Sequence, residues 1–215
     1  DSMKKIVFVL SLGFILIAGS CQKELRVEKS KIKLNSSVLE LDGKAFTGVA
    51  FENYSNGKLK SEWNILKGKE NGLCTTYYSN GQMDEKVIWK DGSKEGPYEK
   101  YYENGQIQVK AQYLENQKDG YFETFYKNGN PWRKGYYDNN LLEGNIEEYF
   151  ENGQLKSAIT WKDDKKEGPY EEYYENGQVK TTGYYKNDRR DGTFEAYSES
   201  GELIEKASFD NGRRL

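Results

Sequence analysis

Carboxylates are the first residues in this chain that could carry acid–base chemistry, because the 215-residue sequence contains no histidine. The absence of His removes the commonest general base and the commonest zinc ligand. A row of glutamates recurs every 24 residues: Glu99, Glu123, Glu147, Glu171 and Glu195. Paired carboxylates hydrolyse glycosides, but that reaction needs one pair whose two pKa values differ. Equivalent copies are typical of a solvated sheet face, so we predict that the chain is not an enzyme.

Two cysteines supply the remaining nucleophilic side chains. Cys74 occupies an apolar position at which other units place Tyr, Phe or Ile, and this predicts a buried, inert thiol. Cys21 follows Gly19-Ser20 at the end of an apolar run and is predicted to be modified, as argued next. No pair is then left for a disulfide within the chain, and no metal ligands or cofactor motif are recognised.

The N-terminal segment has the proportions of a signal peptide. Two lysines precede a thirteen-residue apolar run over residues 6–18, which is too short to span a bilayer. The small residues before Cys21 resemble the lipobox of bacterial lipoproteins, which implies that this Cys is acylated and becomes the first residue. Ala18 stands where leucine is commonest, and the alternative is a cleaved secretory leader followed by an incidental Cys.

The rest of the chain is organised by a strict 24-residue repeat. Each unit opens on a glycine: Gly48, Gly72, Gly96, Gly120, Gly144, Gly168 and Gly192. A second glycine follows nine residues later in every unit, preceded by Asn in six of the seven. A fixed period of this size is typical of a solenoid, in which each unit buries its surface against its neighbours. We therefore predict seven consecutive structural units.

Each unit is predicted to be a β-hairpin. An Asn-Gly pair supplies the two positive-φ positions that a two-residue type I′ turn requires. The flanking Tyr, Phe, Val, Ile, Thr and Trp residues favour strands, and glycines every nine and fifteen residues leave no room for a helix. The predicted fold class is all-β, an elongated antiparallel β-hairpin repeat solenoid of seven 24-residue repeats.

The turn also predicts which residues share a face. With the opening glycine at position 0, the Asn-Gly lies at +8 and +9, so +6 pairs with +11, +4 with +13 and +2 with +15. Alternation then places 0, +2, +6, +11, +15 and +17 on one apolar face. In the third unit these positions are Gly96, Tyr98, Tyr102, Ile107, Ala111 and Tyr113. A β-bulge would shift this register by one residue.

The opposite face is mixed. Its +5 position carries a row of aromatic residues: Tyr77, Tyr101, Phe125, Tyr149, Tyr173 and Tyr197. Its +3 position carries the repeated glutamates. Lysines stand opposite them at +14 in three units, which predicts cross-strand ion pairs.

Three segments are predicted from this pattern. Residues 1–20 are a signal peptide, in which Asp1-Ser2 precedes the first Met and is interpreted as a remnant of expression. Residues 21–46 are a tether and an N-terminal cap, because the end of a solenoid needs covering. Residues 47–215 are the repeat domain. The formal net charge of −3 gives no electrostatic reason to bind nucleic acid.

The unit resembles the bacterial variant of the MORN repeat over about Thr47 to Leu215. The segments that carry the resemblance are EGPYEKYYENGQIQVK (Glu95–Lys110), EGNIEEYFENGQLK (Glu143–Lys156) and EGPYEEYYENGQVK (Glu167–Lys180). Pro131 at an aliphatic position and Asn53 at +5 depart from the pattern. The resemblance implies a hairpin solenoid. For function it implies an antitoxin, a phospholipid-binding or scaffolding protein, or an adhesin, and it carries no catalytic motif.

The leading functional hypothesis is a lipid-anchored binding protein of the cell envelope, at the outer membrane or cell surface or facing the periplasm. Its +5 aromatic row would contact another protein or surface macromolecule, since tyrosines give rigid contact area. Two alternatives are a glycan- or peptidoglycan-binding module and an antitoxin-like partner of a toxin. A purely structural reading, in which the +5 rings only pack along the row, is equally open.

Overall fold

The computed structural model describes residues 24–215, so the signal-peptide and Cys21 predictions lie outside the described residues. Apart from one 3-10 turn at Lys29–Lys31, the regular elements in this range are strands. They are β1 (Arg26–Glu28), β2 (Lys33–Asn35), β3 (Val38–Leu41), β4 (Lys44–Ala45), β5 (Gly48–Asn53), β6 (Leu59–Leu66), β7 (Lys69–Tyr77), β8 (Met83–Lys90), β9 (Ser93–Tyr101), β10 (Ile107–Leu114), β11 (Gln117–Lys118), β12 (Gly120–Phe125), β13 (Pro131–Asp138), β14 (Leu141–Tyr149), β15 (Leu155–Lys162), β16 (Lys165–Tyr173), β17 (Val179–Lys186), β18 (Arg189–Arg190), β19 (Gly192–Tyr197), β20 (Leu203–Asp210) and β21 (Arg213–Arg214).

The strands from β5 onward form one long antiparallel meander in chain order. β1 joins the first of them, β5, in a parallel pairing. β2, β3 and β4 make a separate antiparallel sheet. The predicted all-β array of seven stacked hairpins is therefore confirmed.

The prediction of a type I′ turn at Asn-Gly is wrong. In the third unit, Tyr102 N–H donates to the carbonyl of Gln106 at 2.7 Å, and Gly105 N–H donates to the carbonyl of Tyr102 at 2.8 Å. Only the glycine of the pair has positive φ, at +87° for Gly105. These features define a three-residue loop that ends in a glycine bulge.

The two-residue turns with two positive-φ residues connect successive units instead. Asn187 and Asp188, for example, have φ of 47° and 65° between paired Lys186 and Arg189. The same geometry recurs at Lys67-Gly68, Asp91-Gly92, Glu115-Asn116, Asn139-Asn140, Asp163-Asp164 and Asn211-Gly212. Asn and Asp tolerate this conformation better than other non-glycine residues, which explains their abundance there.

The predicted register is correct from position 0 to +4 and wrong beyond it. Tyr98 faces Ala111 as expected, but Tyr101 at +5 faces Ile107 at +11, because a bulge follows before Val109 pairs with Lys100. The same shift occurs in all seven hairpins. Position +11 therefore lies on the +5 face, and +6 belongs to the hairpin loop rather than to a cross-strand pair.

The packed face contains positions 0, +2, +15 and +17, as predicted. Ile146, 1% exposed, and Phe122 at +2 lie in a cluster with buried Ala111. Ring pairs such as Phe122–Tyr137, with centroids 4.6 Å apart, continue along the array. Cys74 is also buried here, and burial raises the pKa of its thiol to about 11.

In four of the seven units a cation covers this face from position −2, just before the acidic residue and the opening glycine. Lys94 Nζ lies 5.4 Å from the ring centroid of Tyr98 and 5.2 Å from that of Tyr113. Lys118, Lys166 and Arg190 are placed equivalently. Long alkyl stems bury apolar surface while their charged ends stay in water. A single sheet can therefore bury one face without a second layer.

The small β2–β4 sheet covers the first units. Buried Phe46, Ala50 and Ile65 form a cluster, against which Ile32, Leu39 and Leu41 pack among other residues. Phe46 N–H donates to the carbonyl of Leu39 at 2.9 Å. This arrangement closes the packed face at the N-terminal end; the exact domain boundaries stay a prediction.

Candidate functional site

The face opposite the core carries the +5 row proposed from the sequence. Tyr77, Tyr101, Phe125, Tyr149, Tyr173 and Tyr197 lie half-buried at equivalent positions of six hairpins. Each faces an apolar residue at +11, as Tyr149 faces Leu155. The register thus assembles the predicted residues into one row, while their part in binding stays a prediction.

Four of the five tyrosine hydroxyls of this row donate a hydrogen bond to the glutamate two residues earlier on the same strand. Tyr173 donates to Glu171 at 2.5 Å and Tyr197 to Glu195 at 2.6 Å. Tyr101 and Tyr149 make the same bond to Glu99 and Glu147. The carboxylates are therefore hydrogen-bond acceptors within a repeated network.

Lysines at +14 complete the network from a neighbouring strand. Lys134 Nζ lies 3.0 Å from the Glu147 carboxylate and 4.9 Å from the ring centroid of Tyr149. Of the three predicted ion pairs, Lys206–Glu195 forms at 2.7 Å, whereas Lys134 reaches the glutamate of the following unit and, among the described residues, Lys110 makes no ion pair. Among the described residues, no close ring pair joins two members of the +5 row. The rings pack against lysine and aliphatic side chains instead of one another.

The pKa values on this face follow from the same contacts. The hydrogen bond from Tyr149, followed by that from Lys134, lowers the pKa of the Glu147 carboxyl despite partial burial. The hydrogen bond to Glu171, together with burial, raises the pKa of Tyr173 to about 12. Both shifts favour the protonated phenol and the ionised carboxylate that the network requires.

We expect stability to be nearly constant between about pH 5 and pH 9 and to fall outside these limits. The stabilising contribution of Glu147 is complete above the ordinary carboxyl pKa and is lost as pH falls through its lowered folded value. That of Tyr173 is complete below pH 10 and is lost as pH rises toward 12. Urea-unfolding midpoints measured from pH 3 to pH 11 test this, and a step between pH 5 and pH 9 would contradict it.

Exposed apolar side chains form a second feature of this face, at +1 and +16 near the connections between units. The rings of Tyr121 and Tyr136 lie 5.2 Å apart and are 39% and 54% exposed. Leu73 and Tyr184 are comparably exposed at these positions in the second and sixth units. The sequence analysis did not identify this set, because the odd-numbered units carry mainly polar residues or proline at +1 and +16. The apolar residues at these positions in the even-numbered units are the signal that could have revealed it.

The hairpin loops of neighbouring units are joined by side-chain hydrogen bonds that the sequence analysis also missed. Tyr102 at +6 donates its hydroxyl to the carbonyl of Phe125 in the next unit at 2.7 Å. Asn104 at +8 donates its amide to the carbonyl of Lys127 at 3.1 Å and accepts from Gln106 N–H. These bonds explain why aromatic and Asn residues recur in the loops.

The opposite edge of the array is joined by the acidic residue before each opening glycine. Glu95 accepts a hydrogen bond from the N–H of Glu115 in the turn that follows its unit, at 3.1 Å. Asp119, Glu143, Glu167 and Asp191 do the same. The Asp/Glu-Gly pair of the repeat therefore has a structural role.

These observations define a β-hairpin repeat protein whose units are joined at both edges and whose open face presents half-buried aromatic and paired charged residues. A family model described as MORN repeat variant matches residues 46–66, 70–91, 94–115, 118–139, 142–163, 166–187 and 190–211. The chain belongs to this MORN repeat variant family. A search of curated proteins returns no match. Within residues 24–215, no helix has the length and apolarity needed to cross a membrane.

Proposed function

We propose that this protein is an exported, lipid-anchored scaffold that binds another protein or surface macromolecule at the cell envelope through the +5 row. MORN repeats generally bind proteins or membranes, which supports a binding scaffold as the class. The observation that carries the proposal is a row of six half-buried aromatic rings on the open face. No catalytic step is part of the proposal.

The structure of the row favours recognition of a protein surface. The Tyr rings are held in place by Glu and Lys side chains. Because these rings have little conformational freedom to lose, they present apolar area at a small entropic cost on binding. Extended repeat surfaces are suited to long contacts with a partner. The +11 aliphatic residues beside the rings, such as Ile107 and Leu155, widen the apolar strip.

Affinity capture with paired variants tests the proposal. The tagged full chain is recovered from detergent-solubilised, cross-linked envelopes in three forms: unchanged, with Tyr77, Tyr101 and Tyr149 changed to Ala, and with Tyr121, Tyr136 and Tyr184 changed to Ala. We expect the first triple variant to lose a partner that the second retains. Far-UV circular dichroism confirms that both fold. Equal capture by all three forms would refute a role for the +5 row.

The lipid anchor is tested separately by Cys21→Ser. The acyl chains of a lipoprotein hold a protein on a membrane by burial of their methylene groups. We therefore expect the variant to move from the membrane fraction to the soluble fraction of cells that export it. Unchanged fractionation would contradict acylation at Cys21 and leave the binding proposal intact.

A further inference from the structure

The hydrogen bonds between successive hairpin loops are interrupted at one junction. Six junctions join the hairpin loops of successive units. In five of them, the tyrosine hydroxyl at +6 and the asparagine side-chain amide at +8 each donate to a backbone carbonyl of the next unit. Between the fifth and sixth units, Phe150 replaces Tyr and has no hydroxyl to donate. Within the described residues, Asn152 likewise makes no amide bond to Glu175. The carbonyls of Tyr173 and Glu175 therefore lack the donors that their counterparts receive.

A cavity of about 540 Å³ opens at this junction. Its lining includes Phe150, Lys156, Glu172, Tyr173, Tyr174 and Glu175. A cavity of similar size, about 550 Å³, lies against residues 51–54 at the start of the array, where no preceding hairpin supplies a tyrosine. The two cavities coincide with the two places at which a hairpin loop lacks this bond. Both cavities therefore lie beside a backbone carbonyl that lacks a tyrosine donor.

The lining groups restrict the chemistry of a ligand. Among the described residues, the carbonyls of Tyr173 and Glu175 receive no side-chain donor from the preceding hairpin loop, and the carboxylate of Glu172 is held by Lys180 at 2.8 Å. The lining contains three acidic residues and two basic ones: Glu172, Glu175 and Glu199, with Lys156 and Lys180. This balance disfavours an anionic ligand. The Nζ atom of Lys156 lies 5.9 Å from the ring centroid of Phe150, so a cation already covers part of this ring.

A neutral ligand with several hydroxyl donors and one apolar face fits these groups. Its hydroxyls would replace the missing tyrosine hydroxyl and asparagine amide, and its carbon face would cover exposed ring surface of Phe150 or Tyr174. The volume lies within the range of small-molecule sites. We propose that the junction between the fifth and sixth units is a binding site for a neutral saccharide. The site is lined by hairpin loops and the strand ends beside them, including Tyr173 of the +5 row, but the proposal does not require that row to bind a protein.

Phe150→Tyr is the critical variant, because it restores the hydroxyl that the other junctions have. The new hydroxyl would donate to the Tyr173 carbonyl and so compete with the saccharide hydroxyl for this acceptor. Tyr126→Phe is the matched control: it removes one hydroxyl at the preceding junction and leaves residues 150–180 unchanged. Both changes occur naturally between units of this chain, so both variants are expected to fold.

The experiment is saturation-transfer NMR on the full chain carrying Cys21→Ser, with glucose, galactose, mannose and N-acetylglucosamine and their β-linked trimers as probes. We expect at least one probe to bind the parent and Tyr126→Phe equally, and to bind Phe150→Tyr roughly tenfold more weakly, as loss of about 1.4 kcal/mol requires. We also expect a higher Tm for Phe150→Tyr. Binding unchanged in Phe150→Tyr, or no binding by any probe, would overturn the proposal. Spermidine is added as a cationic probe, and its binding in place of every saccharide would also overturn the proposal.

Discussion

Ile146→Ala is expected to lower the free energy of unfolding by about 2–5 kcal/mol. Ile146 is 1% exposed and packs with Ala111, Phe122 and Leu142 in the centre of the array. Its Cδ1 atom occupies the space into which a Cβ at Gly135 would project. The isoleucine therefore fills a gap left by a glycine on the adjacent strand, and no side chain at that position can close the resulting cavity.

Urea unfolding of Ile146→Ala beside Ile107→Ala measures this effect. Ile107 has the same side chain in a half-buried position on the open face, opposite Tyr101. We expect its truncation to cost about 1 kcal/mol, since less apolar area is lost and water can reach the site. Equal losses in the two variants would show that the assignment of core and open face is wrong.

The repeat and the hairpins could be predicted from the sequence because they depend on period and residue type alone. The packed positions 0, +2, +15 and +17 follow from strict alternation, and the structure confirms them. The shift at +5 could not be predicted, because an Asn-Gly pair suits a type I′ turn and also a three-residue loop in which only the glycine has positive φ. The two loops differ by one residue in register.

The candidate site illustrates the same limit. The +5 row was found because its members repeat, yet the bonds of its hydroxyls to Glu171 or Glu195 depend on side-chain rotamers that a sequence does not display. The sequence alone did not reveal the role of Phe150 either. Replacement of Tyr by Phe in one unit is an ordinary apolar substitution until the carbonyl acceptor of the other tyrosines, such as Phe125 O for Tyr102, is known.

The cations at −2 were missed for a different reason. Alternation assigns residues to faces only while the strand is regular, and the opening glycine adopts positive φ in every unit, +94° at Gly96. Lys94, two residues earlier, is therefore not placed by counting from Tyr98. Its position over the rings of Tyr98 and Tyr113 requires the bulge that this glycine permits.

Tyr102→Ala is expected to lower the free energy of unfolding by about 3 kcal/mol. The change removes a half-buried ring from the loop and the hydroxyl that donates to the Phe125 carbonyl at 2.7 Å. Tyr102→Phe retains the ring and is expected to cost about 1 kcal/mol, the net value of one hydrogen bond. Phe150 shows that a hairpin accepts this residue.

Tyr101→Ala provides the contrast that separates the two aromatic positions. The Tyr101 hydroxyl donates to Glu99 on its own strand rather than to a backbone carbonyl of the next unit. We expect a smaller cost of about 1–2 kcal/mol, from ring burial alone. Because each unit is stabilised mainly by its neighbours, weakening one junction uncouples the array there. Tyr102→Ala should therefore broaden the urea transition as well as shift it, whereas Tyr101→Ala should only shift it. A single sharp transition of equal midpoint in both variants would contradict the assignment of Tyr102 to the junction between hairpins.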